Sequence, residues 1–297
     1  MSGVTAAASD GRERPAALRR AVRAGKRIGL LPGAALAVLA IILLSALLAP
    51  LLAGHDPQEL DPVSRLMPPD ADHWFGTDGL GRDVFARTLY GGRVSLLVGS
   101  GVAVATTFFG LLIGMIAGFL RLADSIIMRV MDGLMAIPGI LLAAALLAVS
   151  RPGLLTVMVA ISVPEIPRMV RLVRSLVLSL REETYIEAAI LGGARLPRLL
   201  GRHILPNILP PTVVQATFSF AMAILLESYL SLLGAGIPPA VPSWGNIITD
   251  AATTVRIAFW AIGWPGLFVA ATVLCVNILG DRLRDHLDPR LAGTGRR

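Results

Sequence analysis

Glu227 is the residue whose surroundings most strongly suggest chemistry. It follows 23 residues that contain no Asp, Glu, Lys or Arg, and an uncharged run through Leu233 comes after it. A carboxylate among apolar residues is costly to bury, and for that reason it is functional by default. Three roles fit this position: a polar lining of a pathway, a proton-coupled site, or a hydrogen bond to Ser228, Ser231 or a partner subunit.

Glu165 is a second acid in apolar surroundings, three residues before Arg168. Side chains at this spacing are neighbours on the surface of a helix. Glu165 is therefore interpreted as a boundary residue that pairs with Arg168. The alternative is that Glu165 belongs to a pathway.

The residues of common catalytic and cofactor sites are missing from the sequence. A phosphate-binding loop of the form Gly-x4-Gly-Lys-Ser/Thr needs a lysine, and Lys26, the single lysine, is followed by Arg27. The chain is therefore predicted to have no catalytic residues and to bind no ATP itself. The histidines are scattered and are interpreted as surface residues, so no metal site is predicted: His55, His73, His203 and His286.

The composition indicates that the elements positioning these residues are membrane helices. Of the 297 residues, 55% are hydrophobic and 16% are charged, whereas an average soluble domain has about a quarter charged residues. A bilayer core about 30 Å thick needs about 20 apolar residues of helix to cross it. Four uncharged stretches are long enough: 28–54, 94–120, 204–226 and 257–280.

Two further spans complete a predicted set of six. The fifth is 133–150, in which Pro138 is expected to bend the helix without destroying it. The sixth starts at residue 152 and has to continue through charged residues toward residue 180, with a break or kink at Pro164 and Pro167. The predicted fold class is all-α, a polytopic membrane protein with six transmembrane helices.

The positive charges predict the orientation of these helices. With both termini in the cytoplasm, 21 of the 27 Lys and Arg residues lie on the inner side, as the positive-inside rule requires. Because these residues border apolar spans and form no patch with aromatic residues, nucleic-acid binding is excluded. The predicted divisions are a basic cytoplasmic tail, a first span with an external loop, a core of spans and a second cytoplasmic tail: 1–27, 28–93, 94–283 and 284–297.

The external loop contains a glycine-rich motif followed by a short apolar segment. Thr77 or Asp78 can cap a short helix there, on which Asp83 and Arg87 pair at the i,i+4 spacing. An amphipathic helix of this kind lies along the membrane surface. The motif is interpreted as a structural collar, and direct contact with a ligand is the alternative.

The internal loop, about 181–206, predicts a docking surface. A helix rich in small residues is stopped by Gly192 and Gly193, and Pro197 starts a second short helix. Small alanines let the surface of another protein approach closely, and the flanking Arg and Glu residues supply a polar rim. An ordinary solvated helical hairpin is the alternative.

Several motifs together resemble a known family. Glu187-Ala188-Ala189, with Gly193 six positions after the glutamate and His203-Ile204-Leu205-Pro206-Asn207 beyond it, resembles the EAA loop of permease subunits from bacterial ABC importers. Other segments resemble the dipeptide, oligopeptide and nickel branch of that family: Phe75 to Asp78 with Gly81 to Asp83, Asp132 with Pro138, Leu178 to Glu183, Leu230 to Gly234, Pro242 to Asn246, and Gly280 to Asp285 with Leu287 to Arg290.

The resemblance implies the type I permease fold of ABC importers in the cell inner membrane, with 94–283 as the core permease domain. The first short helix of the internal loop is then the coupling helix, which lies in a groove of an ATPase. The residues implied to couple to the ATPase are Glu187, Ala188, Ala189 and Gly193, together with Arg181, Glu183 and His203 of the same loop.

The resemblance also implies the partners and the mechanism. The partners are a second permease subunit in a heterodimer, two ATP-binding subunits that hold ATP and Mg, an external substrate-binding protein, and membrane lipid. The chain itself is then no enzyme, and it moves peptides or similar solutes by alternating access. The rival hypothesis is an ion-coupled secondary transporter or channel that uses Glu227 or Glu165, although the inverted repeats common in such proteins are not found.

Overall fold

Helices make up the regular structure of the chain. The computed structural model describes residues 14–151 and 153–287, in which β pairing is limited to an isolated bridge between Thr77 and Asp83. A π-helical segment, Leu200–Ile204, joins α8 to α9. The predicted all-α class is confirmed. In chain order the helices are α1 (Arg14–Leu47), α2 (Ala49–Leu52), α3 (Val84–Phe119), α4 (Arg121–Ala136), α5 (Gly139–Val149), α6 (Leu154–Arg181), α7 (Thr184–Leu191), α8 (Leu196–Leu199), α9 (Leu205–Leu232), α10 (Trp244–Ala251) and α11 (Trp260–Leu287).

Four helical stretches of the described chain are long and apolar enough to cross a membrane, and α4 with α5 makes a fifth if the bent pair counts as one span. The sixth predicted span falls on α6, which carries several charged residues and is outside this set. Six spans and the side on which the termini lie stay predictions. The four stretches are Leu30–Leu47, Val84–Phe119, Pro197–Leu232 and Trp260–Asp285.

The pairing of α3 with α6 depends on glycines. A Cβ atom added at Gly114 would lie 2.7 Å from Cβ of Val173, and one added at Gly118 would lie 2.7 Å from Cβ of Val177. Both distances are too short for real carbon atoms. The two backbones therefore approach more closely than side chains would allow, which is a common way for membrane helices to pack.

Helix α6 runs without interruption through Pro164 and Pro167, which are both buried. The prediction was a break or a kink at these residues: a break is not observed, and the kink stays a prediction. A proline removes one backbone hydrogen bond of a helix, but α6 packs against the glycine-lined face of α3 along most of its length. This packing keeps the two halves of α6 in one helix.

The chain bends sharply between α4 and α5, whose axes differ by 89°. The prediction that Pro138 bends this span is confirmed, but the prediction that the helix survives the bend is wrong. Helix α4 ends at Ala136, and Ile137 is extended with φ −94° and ψ 130°. A residue that precedes proline is pushed out of the helical region by contact with the proline ring, so the chain turns there.

The short surface helix predicted after the glycine-rich motif is instead the first part of α3. The cap is Asp83, whose side chain accepts a hydrogen bond from the N–H of Ala86 at 2.6 Å, and neither Thr77 nor Asp78 starts a helix. Val84 is buried in a cluster with Ala251 of α10 and with α11. Protein therefore covers the apolar side chain at this end of α3.

The two predicted tails fall partly outside the described residues. Helix α1 begins at Arg14, so the described part of the N-terminal tail is helical, and α11 continues to Leu287 into the predicted C-terminal tail. Residues 1–13 and 288–297 lie outside the described part of the chain.

Candidate functional site

Helix α7 is the centre of the candidate docking loop. It is joined to α6 by Glu182 and Glu183, and the carbonyl oxygen of Glu183 accepts hydrogen bonds from the N–H groups of Ile186 (2.9 Å) and Glu187 (3.3 Å). These bonds start α7 immediately after α6 ends. Only two residues separate the two helices, so the position of α7 depends closely on that of α6.

Ile186 anchors α7 to the rest of the protein. Its side chain is fully buried in a cluster that includes Val177 of α6, Leu199 of α8 and Ile204. On the rest of the helix, Glu187 and Ala188 are exposed and Ala189 is half-buried. Leu191 is 88% exposed. An apolar side chain left so open beside small residues is typical of a surface that a partner covers.

Gly193 ends α7 in the left-handed conformation, with φ +76°. The N–H of Ala194 bonds to the carbonyl oxygen of Ala189 at 3.0 Å, which is the long bond of a Schellman motif. A Cβ atom at Gly193 would meet nothing within 4 Å. Glycine is therefore needed here for its backbone conformation and not for space. Another residue in this left-handed conformation would destabilise the folded protein by about 1–2 kcal/mol.

Arg181 does not lie on the exposed face of the loop. Its Nη1 donates to the carbonyl oxygen of Gly118 at 2.9 Å, and its guanidinium lies 5.2 Å from the centre of the Phe119 ring. Both contacts are at the last turn of α3, where carbonyl groups lack helical partners. Arg181 therefore ties the loop to the end of α3.

The other predicted loop residues differ in exposure. Glu183 is exposed, and His203 is half-buried within the π-helical segment. The side-chain amide of Asn207 donates to the carbonyl oxygen of His203 at 2.6 Å. The π-helical turn was not predicted from the sequence, because its residues, Leu200–Ile204, have no composition that separates them from an α-helix.

Glu227 is fully buried where α9 meets α10. Its Oε1 accepts hydrogen bonds from Oγ of Ser231 at 3.0 Å and from Oγ of Ser243 at 2.7 Å. Ser243 also caps α10 by accepting the N–H of Asn246 at 3.1 Å. One carboxylate oxygen thus links the end of α9 to the start of α10.

Of the hydrogen bonds predicted for Glu227, the one from Ser231 is present. The hydroxyl of Ser228 bonds instead to the carbonyl oxygen of Ile224 at 3.0 Å. Ser243, sixteen residues away, is a partner that helical spacing could not reveal. Beside this junction, a cavity of about 660 Å³ lies between the end of α5, the connection from α9 to α10, and α10, and Ser231 and Asn246 are among its lining residues.

Glu165 and Arg168 form the predicted pair on α6. The distance from Nη1 of Arg168 to Oε1 of Glu165 is 3.2 Å, and Glu165 is buried while the Arg168 side chain is partly exposed. The two side chains together run from the protein interior to its surface. This geometry suits the predicted pair of residues at a membrane boundary.

A buried ion network holds the glycine-rich motif in place, and sequence spacing did not reveal it. Oδ2 of Asp78 contacts Nε of Arg82 (2.7 Å) and Nη1 of Arg87 (2.6 Å). The same two arginines contact Oδ2 of Asp250 on α10, at 2.8 and 3.2 Å. The network therefore joins the loop, α3 and α10.

Arg87 does not pair with Asp83, so that prediction is wrong. Asp83 is engaged by the N–H of Ala86 and by Nδ1 of His73, 3.0 Å from its Oδ1. Because Asp83 is the cap of α3, its carboxylate points back over the helix end, and Arg87 instead meets the carboxylates of Asp78 and Asp250. The collar interpretation fits this arrangement, since the charged groups are directed into the protein.

The charges of the network shift the titration of Asp78. Burial raises its pKa, but the positive charges of Arg82 and Arg87, together with N–H donors from Leu80 and Arg82, lower the pKa by more, and it lies below its ordinary value. Asp78 is therefore an anion at neutral pH. Arg87, only 1% exposed, depends on that anion for compensation of its charge.

Comparisons of sequence place the chain among transport proteins. A family model described as the binding-protein-dependent transport system inner membrane component matches residues 110–293. The chain is 55% identical over 247 residues to a probable peptide ABC transporter permease protein of Sinorhizobium fredii. The aligned region covers 83% of this chain and 84% of the relative. It is 42% identical over 257 residues to a dipeptide transport system permease protein of Alkalihalophilus pseudofirmus, with 86% and 84% covered.

Comparisons of structure agree on the fold. Two solved structures of the MetNI methionine ABC transporter in inward-facing conformations match with TM-scores of 0.52 and 0.54, at 20% and 21% identity. They cover 65% and 68% of this chain and 94% and 96% of the matched chains. The helices described above thus have the arrangement of an ABC importer permease.

Proposed function

The chain belongs to the family of binding-protein-dependent transport system inner membrane components, and from this membership we propose that it moves peptides through the membrane as one of two permease subunits of a heterodimer. Permeases of ABC importers lie in the inner membrane and work with ATPase and substrate-binding partners. We assign the peptide class because relatives that share most of their length with this chain are described as peptide and dipeptide permeases.

The observation that carries the proposal is the form of α7. Its side chains Glu187, Ala188 and Leu191 are exposed, and Ile186 is buried and fixed in the protein. A short helix that is anchored through a buried isoleucine and also exposes several side chains suits insertion into a groove of a second protein. We assign that groove to an ATPase subunit, of which the complex would hold two.

The side chains packed around Ile186 connect α7 to α6 and α3, so a displacement of α7 can be transmitted to these helices. The cluster around Ile186 includes Met169, Val173 and Val177 of α6, and the same three side chains press against the glycine face of α3. Packed interiors transmit displacement because they are close to incompressible. A movement of α7 would therefore shift α6 and α3 as rigid helices, as alternating access requires.

The chain would provide no nucleotide chemistry. ATP and Mg would be held by the ATPase partners, and the energy of hydrolysis would reach this chain through α7. Glu227 would keep α10 fixed against α9 beside the 660 Å³ cavity. Glu165 with Arg168 would mark the boundary of the membrane interior on α6.

Substitution of Ala188 by Trp tests the proposal. The indole adds bulk on the exposed side of α7 and disturbs no buried contact, so Ala188→Trp should abolish co-purification of the ATPase and ATP-driven uptake of a peptide in proteoliposomes. Ala252→Trp is the matched control, because Ala252 is exposed after α10, far from this loop in the sequence. Retention of ATPase binding and uptake by Ala188→Trp would overturn the docking role of α7.

A further inference from the structure

Three potential metal ligands converge in the loop between α2 and α3. His55, His73 and Asp83 each offer one ligand atom, and these atoms lie within 4.8 Å of one another. His55 follows shortly after α2, His73 precedes the glycine-rich motif, and Asp83 caps α3. Three segments of the chain thus meet at one point. The sequence places His55 and His73 in the same external loop, where they were interpreted as surface residues, but it does not show that they meet Asp83.

Two of the three side chains are already oriented. Oδ2 of Asp83 accepts the N–H of Ala86, so Oδ1 is directed to Nδ1 of His73 at 3.0 Å. The backbone of His73 is fixed in turn, since its N–H donates to Oδ1 of Asp70 at 2.6 Å. Zn²⁺ would displace the proton that Nδ1 of His73 donates to Asp83 and release it to solvent. The two side chains, already held side by side, would need little other rearrangement.

The third side chain is free to complete the group. His55 is exposed, and its ring centre lies 4.8 Å from that of His73, with the ring planes tilted by 35°. Metal–ligand distances of about 2.0–2.2 Å in a tetrahedral site place neighbouring ligand atoms about 3.3–3.6 Å apart. The 3.0 Å contact is near this range, and a rotation of the exposed His55 ring can bring its nitrogen into it.

The chemistry of the group selects the ion. Two imidazoles and one carboxylate are typical ligands for Zn²⁺, whereas Mg²⁺ and Ca²⁺ prefer oxygen ligands alone. Three protein ligands leave a fourth tetrahedral position for water. Asp56 and Asp70, which adjoin the cluster in sequence or by hydrogen bond, add negative charge that favours a cation.

We propose that His55, His73 and Asp83 form a Zn²⁺ site that fastens the beginning of this loop to the first turn of α3. The bound ion would bridge residues that are 28 positions apart and would restrict the loop that precedes the buried ion network. This proposal does not depend on the peptide as solute or on the docking of α7. Either could fail without affecting it.

Zinc binding to the full-length chain tests the proposal. The protein is purified in detergent with an affinity tag that contains no histidine, and Zn²⁺ affinity is measured by competition with a chromophoric chelator, with bound zinc counted by mass spectrometry. We expect one Zn²⁺ per chain, and His55→Gln should weaken binding at least about tenfold. His286→Gln, a histidine at the far end of α11, should leave the affinity unchanged.

A second measurement separates ligand loss from misfolding. His55 is exposed, so His55→Gln should unfold at the same temperature as the parent when zinc is removed by a chelator. Addition of Zn²⁺ should raise the unfolding temperature of the parent and of His286→Gln, but not that of His55→Gln or His73→Gln. Equal affinity and an equal temperature shift in the parent and His55→Gln would overturn the site, as would the lack of bound zinc in the parent.

Discussion

At the scale of single residues, Arg87 and Glu227 are buried polar groups with partners both near and distant in the sequence. Arg87 is 1% exposed and its Nη1 and Nη2 groups contact Asp78 and Asp250, while Glu227 receives two serine hydroxyls. Removing one member of a buried ion pair leaves the other without compensation, which costs about 3–5 kcal/mol in measured cases. Loss of Asp78 should therefore be far more harmful than loss of an exposed acid.

We predict that Asp78→Asn destabilises the protein by about 3 kcal/mol at neutral pH. Because the pKa of Asp78 is lowered in the folded protein, its stabilising effect is fully present above the unfolded carboxyl pKa of about 3.9 and is lost as the pH falls through the folded value. The difference between the parent and Asp78→Asn should thus be constant near neutrality and shrink in acid. Thermal unfolding in detergent across pH measures it.

The control for this experiment is Asp72→Asn, an exposed acid of the same loop. It should change the unfolding temperature little at any pH. A difference between parent and Asp78→Asn that stayed the same down to acid pH would contradict the assigned role of the carboxylate charge.

These residues also show where sequence analysis reaches its limit. Spacing along a helix reveals partners three or four positions apart, and it found Glu165 with Arg168. The same rule led to Asp83 with Arg87, which was wrong, since the contact of Arg87 with Asp250 spans 163 positions. Only the fold brings such residues together.

At the scale of elements, the sequence located helices better than it located their ends. Uncharged stretches predicted the central parts of α1, α3, α9 and α11, because burial in lipid or protein requires apolar side chains whatever the fold. The start of α3 depends on a cap and on packing by α10 and α11, and the break at Pro138 depends on a bend whose angle no local pattern determines. Those features were missed or only partly predicted.

Two helix glycines with different surroundings, Gly114 at the contact of α3 with α6 and Gly133 on α4, give predictions of opposite sign. Gly114→Ala places a Cβ atom 2.7 Å from Cβ of Val173, so the helices must separate, at a cost of about 1–3 kcal/mol for overpacking. Gly133→Ala on α4 meets nothing within 4 Å and should gain about 0.5–1 kcal/mol of helix propensity. Thermal unfolding of both purified variants checks the pair, and stabilisation by Gly114→Ala would refute the close packing.

At the scale of the whole molecule, α7 joins two distinct properties: an exposed surface and a buried anchor. The EAA motif predicted the surface, because its small residues are visible in the sequence. The anchor, Ile186, belongs to no motif, and its importance follows only from the cluster it enters with α6, α8 and Ile204. In the proposed function, binding of the ATPase and transmission of its motion can therefore be separated by mutation.

Ile186→Ala should uncouple the two events. The variant removes the anchor and destabilises the packing around α7 by about 2–5 kcal/mol, as is usual for a buried isoleucine. Glu187, Ala188 and Leu191 stay exposed as before. We expect the ATPase to co-purify normally while the amount of peptide transported per ATP hydrolysed falls. Leu191→Ala, in contrast, should weaken co-purification and leave the unfolding temperature unchanged. An unaltered transport ratio in Ile186→Ala would contradict transmission through this cluster.

The network of Asp78, Arg82, Arg87 and Asp250 has a consequence for the order of events during synthesis. Arg87 is synthesised soon after Asp78, but Asp250 follows Arg87 by 163 residues. When α3 leaves the ribosome, Arg87 therefore has only one of its two carboxylate partners. Until α10 is synthesised, Arg82 in the loop and Arg87 on α3 share the single carboxylate of Asp78. Folding around this network therefore cannot be completed before the last quarter of the chain is synthesised. A chain truncated before α10 would keep both arginines but lack Asp250, and one positive charge would be uncompensated.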